Sequence, residues 1–556
     1  MLSAVIDEAT TDATTEAASR RFPADGAADL LGPAVIVITV IVAFVWDRTL
    51  WFFSDDWNII SGWPSGGLLE PFNSHLSLVP IGVYQTLFHT VGLDDYTPYR
   101  VAGLAAYALL GWVTWRFARG HVGAVGGAIA TAAVLWHSAG VTNLLFPFLM
   151  NFSIPVAALV AVWWHLDRDT VRHDAFAALW ICLALATSGL GLIVAVAVGV
   201  ELVWHAVTRR SIPWQRWAFL APGPVLWFVW YLAFGVDSPA SGGLRPIASY
   251  TARMLLGGVS GLVGGNRWLG AALAAFVTGL IVGAVVRRAF DARIAGALAA
   301  PVAFAGLTAV SRIGVVPAIP PDELRYQWTI GAFLVFAIVL LLVANGPLTP
   351  PTNVAVAVVA SLAVIVGAVQ LADDGAAWVD TVEQAVPGVR ANLLVAEMAD
   401  AAGVLDRDRA LPVSYVKVTA GEYVDAVAKL GSPLTGFTAD DFGGSVDSMT
   451  TAEQAFVDDF TLVVRPDGPE SCGEPRPLPA GPIEVHSGEV YRIVAGESAD
   501  VRFGLFGPLT AHGHPGVIIG TLAAGEEGFV TVPDLGRAPR VTPYIGAANV
   551  SVDICP

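Results

Sequence analysis

The chain has 556 residues, of which 55% are hydrophobic and only 14% are charged. Soluble domains carry about 25% charged residues, so this composition excludes a purely soluble enzyme. The formal net charge of −17 argues against nucleic acid as a partner, because binding to a phosphate backbone requires a basic face.

The first 29 residues are polar and rich in Ala and Thr. They lack the basic start, apolar core and small-residue cleavage site of a signal peptide. Such a composition is typical of segments that bury too little apolar surface to fold. We therefore predict a disordered cytoplasmic tail over residues 1–29.

Residues 30–371 alternate between long apolar runs and short polar breaks. An apolar helix of about 20 residues crosses a bilayer. The stretch 175–207 is too long for one span, and the polar break at 187–189 divides it. The sequence thus predicts a polytopic α-helical membrane protein with about eleven spans: 31–46, 99–117, 123–141, 145–166, 175–187, 189–207, 217–235, 268–286, 294–310, 328–344 and 353–371.

Arginine placement predicts the orientation, because cytoplasmic loops of membrane proteins are enriched in Lys and Arg. With the N-terminus inside, twelve arginines lie in short inner segments and seven are spread over longer outer loops. An odd number of spans then places the C-terminal region outside. We expect a multi-pass protein of the bacterial plasma membrane.

Residues 372–556 contain short β-type runs separated by Gly and Pro, among them 489–495, 501–506 and 517–522. Their spacing predicts an extracytoplasmic β-sandwich or jelly roll, preceded by helices over 376–402 and 420–430. Cys472 and Cys555 both lie in this region, which favours a disulfide between them. The alternative is two free thiols.

The first outer loop, residues 47–98, is longer than most other connections, and long loops in compact proteins are usually functional. It begins with Ser54, Asp55 and Asp56 directly after a span. Two carboxylates beside a membrane are costly to desolvate and indicate metal, proton or cation chemistry. The alternative is a helix N-terminus that Ser54 and the acidic first turn stabilise.

The loop continues with residues 70–75 (EPFNSH) and ends with 93–100 (LDDYTPYR). Over residues 30–345 this layout resembles bacterial integral-membrane glycosyltransferases of the C-type (GT-C) fold, of the kind that builds actinobacterial cell envelopes. The resemblance implies that Asp55 or Asp56 lies beside the donor phosphate, a metal ion or the acceptor hydroxyl. It also implies a polyprenyl-phosphate-linked sugar donor and a glycan, lipid or protein acceptor outside the membrane.

Inverting transfer of a hexosyl or pentosyl group needs a base for the acceptor hydroxyl and positive charge at the leaving phosphate. Asp55 and Asp56 are the candidate base, and the two carboxylates are also candidate ligands of a divalent cation (Mg, Mn or Ca). Arg312, Arg325 and Tyr326 lie in one predicted outer loop and are candidate phosphate ligands. Ordinary anchoring at the membrane interface is the alternative for these three residues.

Four further polar residues are candidates for binding substrate. Asn73 and His75 would line the same pocket as Asp55, although a single His is more often a hydrogen-bonded structural group. Asn143 and Asn151 lie at a predicted outer membrane boundary, where they would bind sugar hydroxyls or cap helices.

Two functions from different classes remain open. A transporter, a flippase or a scaffold for envelope polysaccharide assembly is the alternative to a glycosyltransferase. Transporters carry ionisable residues in mid-span, whereas these spans are almost free of charge, with Glu201 the clearest exception. The sequence has no dinucleotide-binding or phosphate-loop motif, which favours a lipid-linked donor over a nucleotide sugar.

The predicted topology can be tested by labelling single introduced cysteines. A cysteine near residue 120 or 211 should react only from the cytoplasm, and one near 240 or 440 only from outside, because the arginine bias sets the orientation. Labelling of position 211 from outside would invert every assignment.

Overall fold

The structure is a computed structural model, and it describes the chain with short gaps. The described residues are 26–46, 48–62, 67–168, 170–208, 214–235, 243–313, 319–347, 349–413, 417–438, 441–442, 445–469, 472, 476–477, 482–507, 509, 514–535, 541–547 and 550–555. Most of the predicted tail, residues 1–25, lies outside them, so its disorder stays a prediction.

Helices account for most of the described chain. In chain order they are α1 (Leu31–Trp46), α2 (Asp55–Gly62), α3 (Leu78–Thr90), α4 (Thr97–Leu135), α5 (Val141–Leu145), α6 (Met150–Leu166), α7 (Val171–Thr187), α8 (Leu190–Val207), α9 (Trp214–Leu220), α10 (Pro222–Phe234), α11 (Leu244–Gly261), α12 (Arg267–Val286), α13 (Ala292–Arg312), α14 (Leu324–Ala344), α15 (Pro350–Ala401), α16 (Ala420–Leu430) and α17 (Val446–Asp459).

The strands all follow residue 409. They are β1 (Ala410–Leu411), β2 (Val418–Thr419), β3 (Arg476–Pro477), β4 (Ile483–Glu484), β5 (Val490–Ala495), β6 (Ala499–Gly504), β7 (Val517–Leu522), β8 (Glu527–Thr531), β9 (Tyr544–Gly546) and β10 (Val550–Cys555).

The described residues include nine helices long and apolar enough to cross a membrane. The eleven predicted spans differ from these nine at two places. The predicted spans 99–117 and 123–141 are counted as one helix, α4, but its 39 residues are interrupted at Gly123, where φ is 79° and where the second predicted span begins. The predicted span 175–187 lies in α7, which has 17 residues. The apolar helices confirm a multi-pass membrane protein, and its orientation stays a prediction.

The chain forms two compact units. The first contains residues 1–48, 68–83 and 99–377, and the second contains 49–67, 84–98 and 378–556. The sequence prediction assigned the whole loop 47–98 to the membrane module. The structure instead divides that loop, and the part that carries Asp55 and Asp56 belongs to the unit formed by the C-terminal residues.

In the first unit, apolar helices pack around buried ion pairs. Arg293 donates to Glu201 at 2.9 Å and lies 2.9 Å from Asp167. The nitrogen–oxygen distance is 3.0 Å between Arg216 and Asp174 and 2.6 Å between Arg119 and Asp29, a pair that is partly exposed. Removing one partner of a buried pair leaves a charge uncompensated. The carboxylate of Glu201, which stood out in the sequence, therefore has a structural partner.

The second unit confirms the predicted β-rich domain. Two four-stranded antiparallel sheets have the orders β3-β10-β5-β8 and β4-β9-β6-β7. This arrangement of eight strands in two interleaved sheets is a jelly roll. Its strands alternate buried and more exposed side chains, as in β5, because successive residues of a strand point to opposite faces. The predicted helices over 376–402 and 420–430 correspond to the end of α15 and to α16.

A disulfide and a buried carboxylate stabilise the jelly roll. The predicted disulfide joins Cys472 to Cys555, the last residue of β10. The buried carboxylate of Glu453 in α17 accepts hydrogen bonds from the Leu505 amide at 2.7 Å and from His514 Nε2 at 2.7 Å. His514 is thus a buried hydrogen-bonding group, as expected for a structural histidine.

We predict that the disulfide is present in the purified protein and stabilises the second unit. The double substitution Cys472→Ser/Cys555→Ser should lower the stability of this unit by about 2–5 kcal/mol, because the cross-link restricts the unfolded chain. Thermal unfolding in detergent measures the loss, and Cys182→Ser is the control. Free alkylation of both cysteines without reductant would contradict the prediction.

Candidate functional site

The acidic motif begins a short buried helix of the second unit. Ser54 has a φ of 52°, a left-handed conformation that non-glycine residues seldom adopt. This turn starts α2 at Asp55 and directs Trp57 into the interior, where its ring meets that of Tyr423 in α16 at 6.1 Å. The acidic motif is therefore a packed part of the C-terminal unit.

Asp56 is a fully buried carboxylate with hydrogen bonds to both oxygens. Tyr84 donates to Oδ1 at 2.5 Å, and Tyr96 donates to Oδ2 at 2.8 Å. The Phe53 amide also donates to Oδ2, at 3.0 Å. These contacts connect α2 to α3 and to the end of the loop, which indicates that Asp56 holds the motif in place.

Burial raises the pKa of Asp56 to about 7, because the charged form loses its hydration. The hydrogen bonds from Tyr84, Phe53 and Tyr96 lower the pKa, and the charge of Asp55 raises it further. Near neutral pH this carboxyl therefore exists in both protonation states. A carboxyl with such a pKa is a candidate for acid–base chemistry, but its hydrogen bonds are made within the protein.

Asp55 differs from its neighbour in its surroundings. It is 4% exposed, and its Oδ1 accepts a hydrogen bond from Asn58 Nδ2 at the longer distance of 3.3 Å. Asp55 and Asp56 are the first two residues of α2, so the hydrogen bonds that fix Asp56 also fix the backbone that carries Asp55.

In the first unit, His75 closes a tight turn. Its amide and carbonyl exchange hydrogen bonds of 2.9 Å with Phe72. The two intervening residues, Asn73 and Ser74, have φ values of 50° and 66°, a pair of left-handed residues typical of a type I′ turn. Asn73 is exposed at the tip of this turn. His75 therefore has a fixed position, whereas Asn73 faces outwards.

The ring of His75 lies against the break between α7 and α8. A Cβ atom at Gly189 would come within 2.9 Å of His75 Nδ1, so only glycine allows this approach. Ser188 Oγ in the same break donates to the carbonyl of Asn151 at 2.7 Å. The structure thus brings together His75, Asn151 and the 187–189 break, which the sequence analysis treated separately.

Arg312 influences two titratable groups of this unit. Burial lowers the pKa of His75 to about 4, and the positive charge of Arg312 lowers it further. Burial raises the pKa of Tyr250 to about 12, while Arg312 opposes this rise. His75 is therefore neutral near pH 7 and can offer a hydrogen bond but no charge. Among the described residues, Arg312 has no ion-pair partner and no hydrogen-bond partner.

Arg325 and Tyr326 have mainly internal contacts. Arg325 Nε lies 3.7 Å from Glu323 Oε1, and the guanidinium is 5.6 Å from the ring centre of Tyr326. Tyr326 packs edge-to-face on Phe304 at 5.9 Å. Its buried hydroxyl has no hydrogen-bond partner within the described part of the chain. Of the two arginines predicted to bind phosphate, Arg312 is the one whose charge is not balanced by a neighbouring carboxylate.

Neither Asn143 nor Asn151 caps a helix. The cap residues of α5 and α6 are Gly140 and Leu149, and neither cap has a side-chain hydrogen bond. Asn143 is 4% exposed, and both its amide atoms lack partners within the described ranges, as does Oδ1 of Asn151. Buried amides without partners are costly, so these atoms are suited to binding water or a ligand.

The described residues contain no group of three or more His, Cys, Asp and Glu side chains that could hold a metal ion. Both oxygens of Asp56 already accept hydrogen bonds. Binding of a divalent cation by Asp55 and Asp56 stays a prediction.

No family model matches the sequence, and no curated protein matches it. The structure is similar to a crystal structure of ArnT from Cupriavidus metallidurans bound to undecaprenyl phosphate, with a TM-score of 0.42 and 16% sequence identity. The alignment covers 76% of this chain and 90% of that chain. Similarity at this level carries no argument about function, and the resemblance to GT-C glycosyltransferases stays a prediction.

Sequence reasoning gave no role to several residues that shape these sites. Tyr84 and Tyr96 bind Asp56 from 28 and 40 residues away, and Tyr250 lies in α11. Gly189 matters because it lacks a side chain. The signal in the sequence was the presence of Tyr84 and Tyr96 in the same loop as Asp55 and Asp56.

We predict that Asp56 makes stability depend on pH. The pKa of Asp56 in the folded protein, about 7, lies above the ordinary value of 3.8, so its contribution to stability is complete below pH 4 and is lost as the pH rises to about 7. The upper limit is on the order of 4 kcal/mol, since each pKa unit corresponds to about 1.4 kcal/mol. Asp56→Asn should therefore gain melting temperature relative to wild type as the pH rises.

The measurement is thermal unfolding followed by tryptophan fluorescence at several pH values between 4 and 8. The matched control is Asp94→Asn, which neutralises an exposed carboxylate of the same loop. A difference between Asp56→Asn and wild type that is constant with pH would contradict the prediction.

Proposed function

We propose that the chain is a membrane glycosyltransferase that transfers a sugar from a polyprenyl-phosphate donor to an acceptor of the cell envelope. Asp55 is the general base that takes the proton of the acceptor hydroxyl, and Asp56 positions it. Arg312 binds the phosphate of the donor, with His75 and Tyr326 as neutral hydrogen-bonding groups. Asn143 and Asn151 bind hydroxyl groups of the sugar. Arg325 and Asn73 also contribute to substrate binding.

The observation that carries the proposal is the unpaired charge of Arg312. Arg119, Arg216 and Arg293 each have a carboxylate partner within 3.0 Å. Arg312 has no such partner among the described residues. An arginine without a carboxylate at the end of an apolar helix is suited to an anionic headgroup, because guanidinium binds phosphate in a bidentate manner.

The fixed position of α2 supports the assignment of the base. A catalytic carboxylate needs a fixed orientation. Tyr84 and Tyr96 hold Asp56 in place, and Asp55 is the adjacent residue of the same helix. A divalent cation, if the reaction uses one, would be bound by Asp55 and by phosphate oxygens of the substrate.

A transporter or flippase is the alternative, and the structure removes one argument for it. Glu201 was the clearest ionisable residue within a span, and it is paired with Arg293 at 2.9 Å. Its presence is therefore explained by packing between α8 and α13 and requires no transport pathway.

The test is sugar transfer by the purified protein in lipid nanodiscs. Radiolabelled polyprenyl-phosphate hexoses and pentoses serve as donors, and envelope glycan serves as acceptor. Asp55→Asn should lower kcat by about 10²–10⁴-fold, the usual loss for a general base, and leave donor binding unchanged. Arg312→Gln should weaken donor binding by about 10–100-fold, because it removes a hydrogen bond between charged groups.

Arg287→Gln is the matched control for Arg312→Gln, since it removes an exposed arginine from the predicted cytoplasmic end of α12. Wild-type transfer rates in Asp55→Asn would overturn the assignment of the base. Movement of lipid-linked sugar across proteoliposomes without any transfer would favour the flippase alternative.

A further inference from the structure

A small polar cleft in the first unit lies apart from the residues discussed above. Its volume is about 230 Å³, and its lining includes Gln327, Gln370, Asp374 and the Gly264–Gly265 turn. These groups come from α14, α15 and the connection between α11 and α12. The sequence predicts that all three positions face outwards. The cleft thus opens where an extracytoplasmic ligand would arrive.

The lining offers hydrogen-bond donors and acceptors together. Gln370 Nε2 donates to Asp374 Oδ1 at 2.8 Å, and Gln327 Nε2 donates to the carbonyl of Asp322 at 2.8 Å. Each amide keeps a second N–H and its carbonyl oxygen, and Asp374 keeps Oδ2. None of these remaining atoms has a partner in the described chain. A lining that offers both donors and acceptors suits hydroxyl groups, since each hydroxyl both donates and accepts.

The charge of the lining and the volume of the cleft indicate the class of ligand. Asp374 is the charged residue of the lining, and no Lys, Arg or His accompanies it, so an anion is disfavoured. Drug-sized ligands occupy pockets of about 300–1,000 Å³, so a cleft of 230 Å³ suits a single ring. Leu324 and Ala139 supply apolar surface for the carbon–hydrogen face of such a ring.

The turn that closes one side is specialised for close approach. Gly264 and Gly265 have φ values of 69° and 75°, which L side chains rarely adopt. A Cβ at Gly264 would clash with Val366, whereas a Cβ at Gly265 would meet nothing within 4 Å. The backbone therefore lies against α15 on one side and leaves open space on the other.

We propose that this cleft binds one neutral sugar ring through Asp374, Gln370 and Gln327. The proposal concerns binding and does not depend on Asp55 or on transfer. The ring can come from the lipid-linked donor or from the acceptor, and both offer the same hydroxyl chemistry.

The test is saturation-transfer NMR on the full-length protein in nanodiscs, with methyl glycosides of common hexoses and pentoses as probes. Wild type should bind at least one probe. Asp374→Asn should weaken that binding about tenfold or more, because a hydrogen bond to a charged group is lost. Asp373→Asn is the matched control, since it removes the adjacent, exposed carboxylate, which does not line the cleft.

A second variant, Gly265→Asn, adds a side chain at the open position, and Asn tolerates left-handed backbone better than most residues. It should also weaken binding while the melting temperature shows that the protein is folded. Unchanged binding in both variants would overturn the proposal, as would calcium binding at Asp374 without binding of any glycoside.

Two further arms identify the source of the ring. If it belongs to the donor, Asp374→Asn weakens binding of the polyprenyl-phosphate sugar and leaves that of polyprenyl phosphate unchanged. If it belongs to the acceptor, only the methyl glycosides lose affinity. Binding of the methyl glycosides is measured without any transfer step, so failure of the proposed transfer reaction would leave this result intact.

Discussion

The second unit depends on one buried carboxyl group. Asp56 accepts hydrogen bonds from two tyrosines and one amide, and these donors come from three places in the loop between residues 53 and 96. A carboxyl with no exposed surface is tolerated only when its oxygens are satisfied. This requirement fixes the positions of Tyr84 and Tyr96, and with them the ends of α2 and α3. The strained φ at Ser54 persists because this network holds the turn.

This constraint gives the two neighbouring aspartates different physical roles. Asp56 has its hydrogen-bonding capacity used by the protein, and its raised pKa reflects the loss of water around it. Asp55 is the adjacent residue of the same helix, and its Oδ1 accepts a hydrogen bond from Asn58 at 3.3 Å. Adjacent positions on a helix point about 100° apart. A fixed neighbour can therefore orient a reactive group without competing with it for the same ligand.

Much of the fold follows from patterns that are local in sequence. Apolar length predicts the spans because the bilayer sets a fixed helix length, and the short alternating runs predict the sheets of the jelly roll. The break at Gly123 was also predictable, since the polar residues Arg116, Arg119 and His121 precede it and separate the predicted spans 99–117 and 123–141. The assignment of residues 49–67 to the C-terminal unit could not be predicted, because it depends on packing such as that of Trp57 on Tyr423, more than 360 residues apart. The contacts of Asp56 with Tyr84 and of His75 with Gly189 are non-local for the same reason.

The discontinuity of the second unit has a consequence for biogenesis. Residues 49–67 emerge from the ribosome early, but α2 packs on α16, which contains residues 420–430. At about 5–20 residues per second, the intervening chain takes on the order of tens of seconds to synthesise. During that interval Trp51 and Trp57 lack their partners Phe437 and Tyr423. Helix α2, which carries Asp55 and Asp56, therefore cannot yet pack on α16. The membrane helices would thus insert before residues 49–67 can pack on their partners. Packing of the acidic motif would then be one of the last events in the folding of the protein.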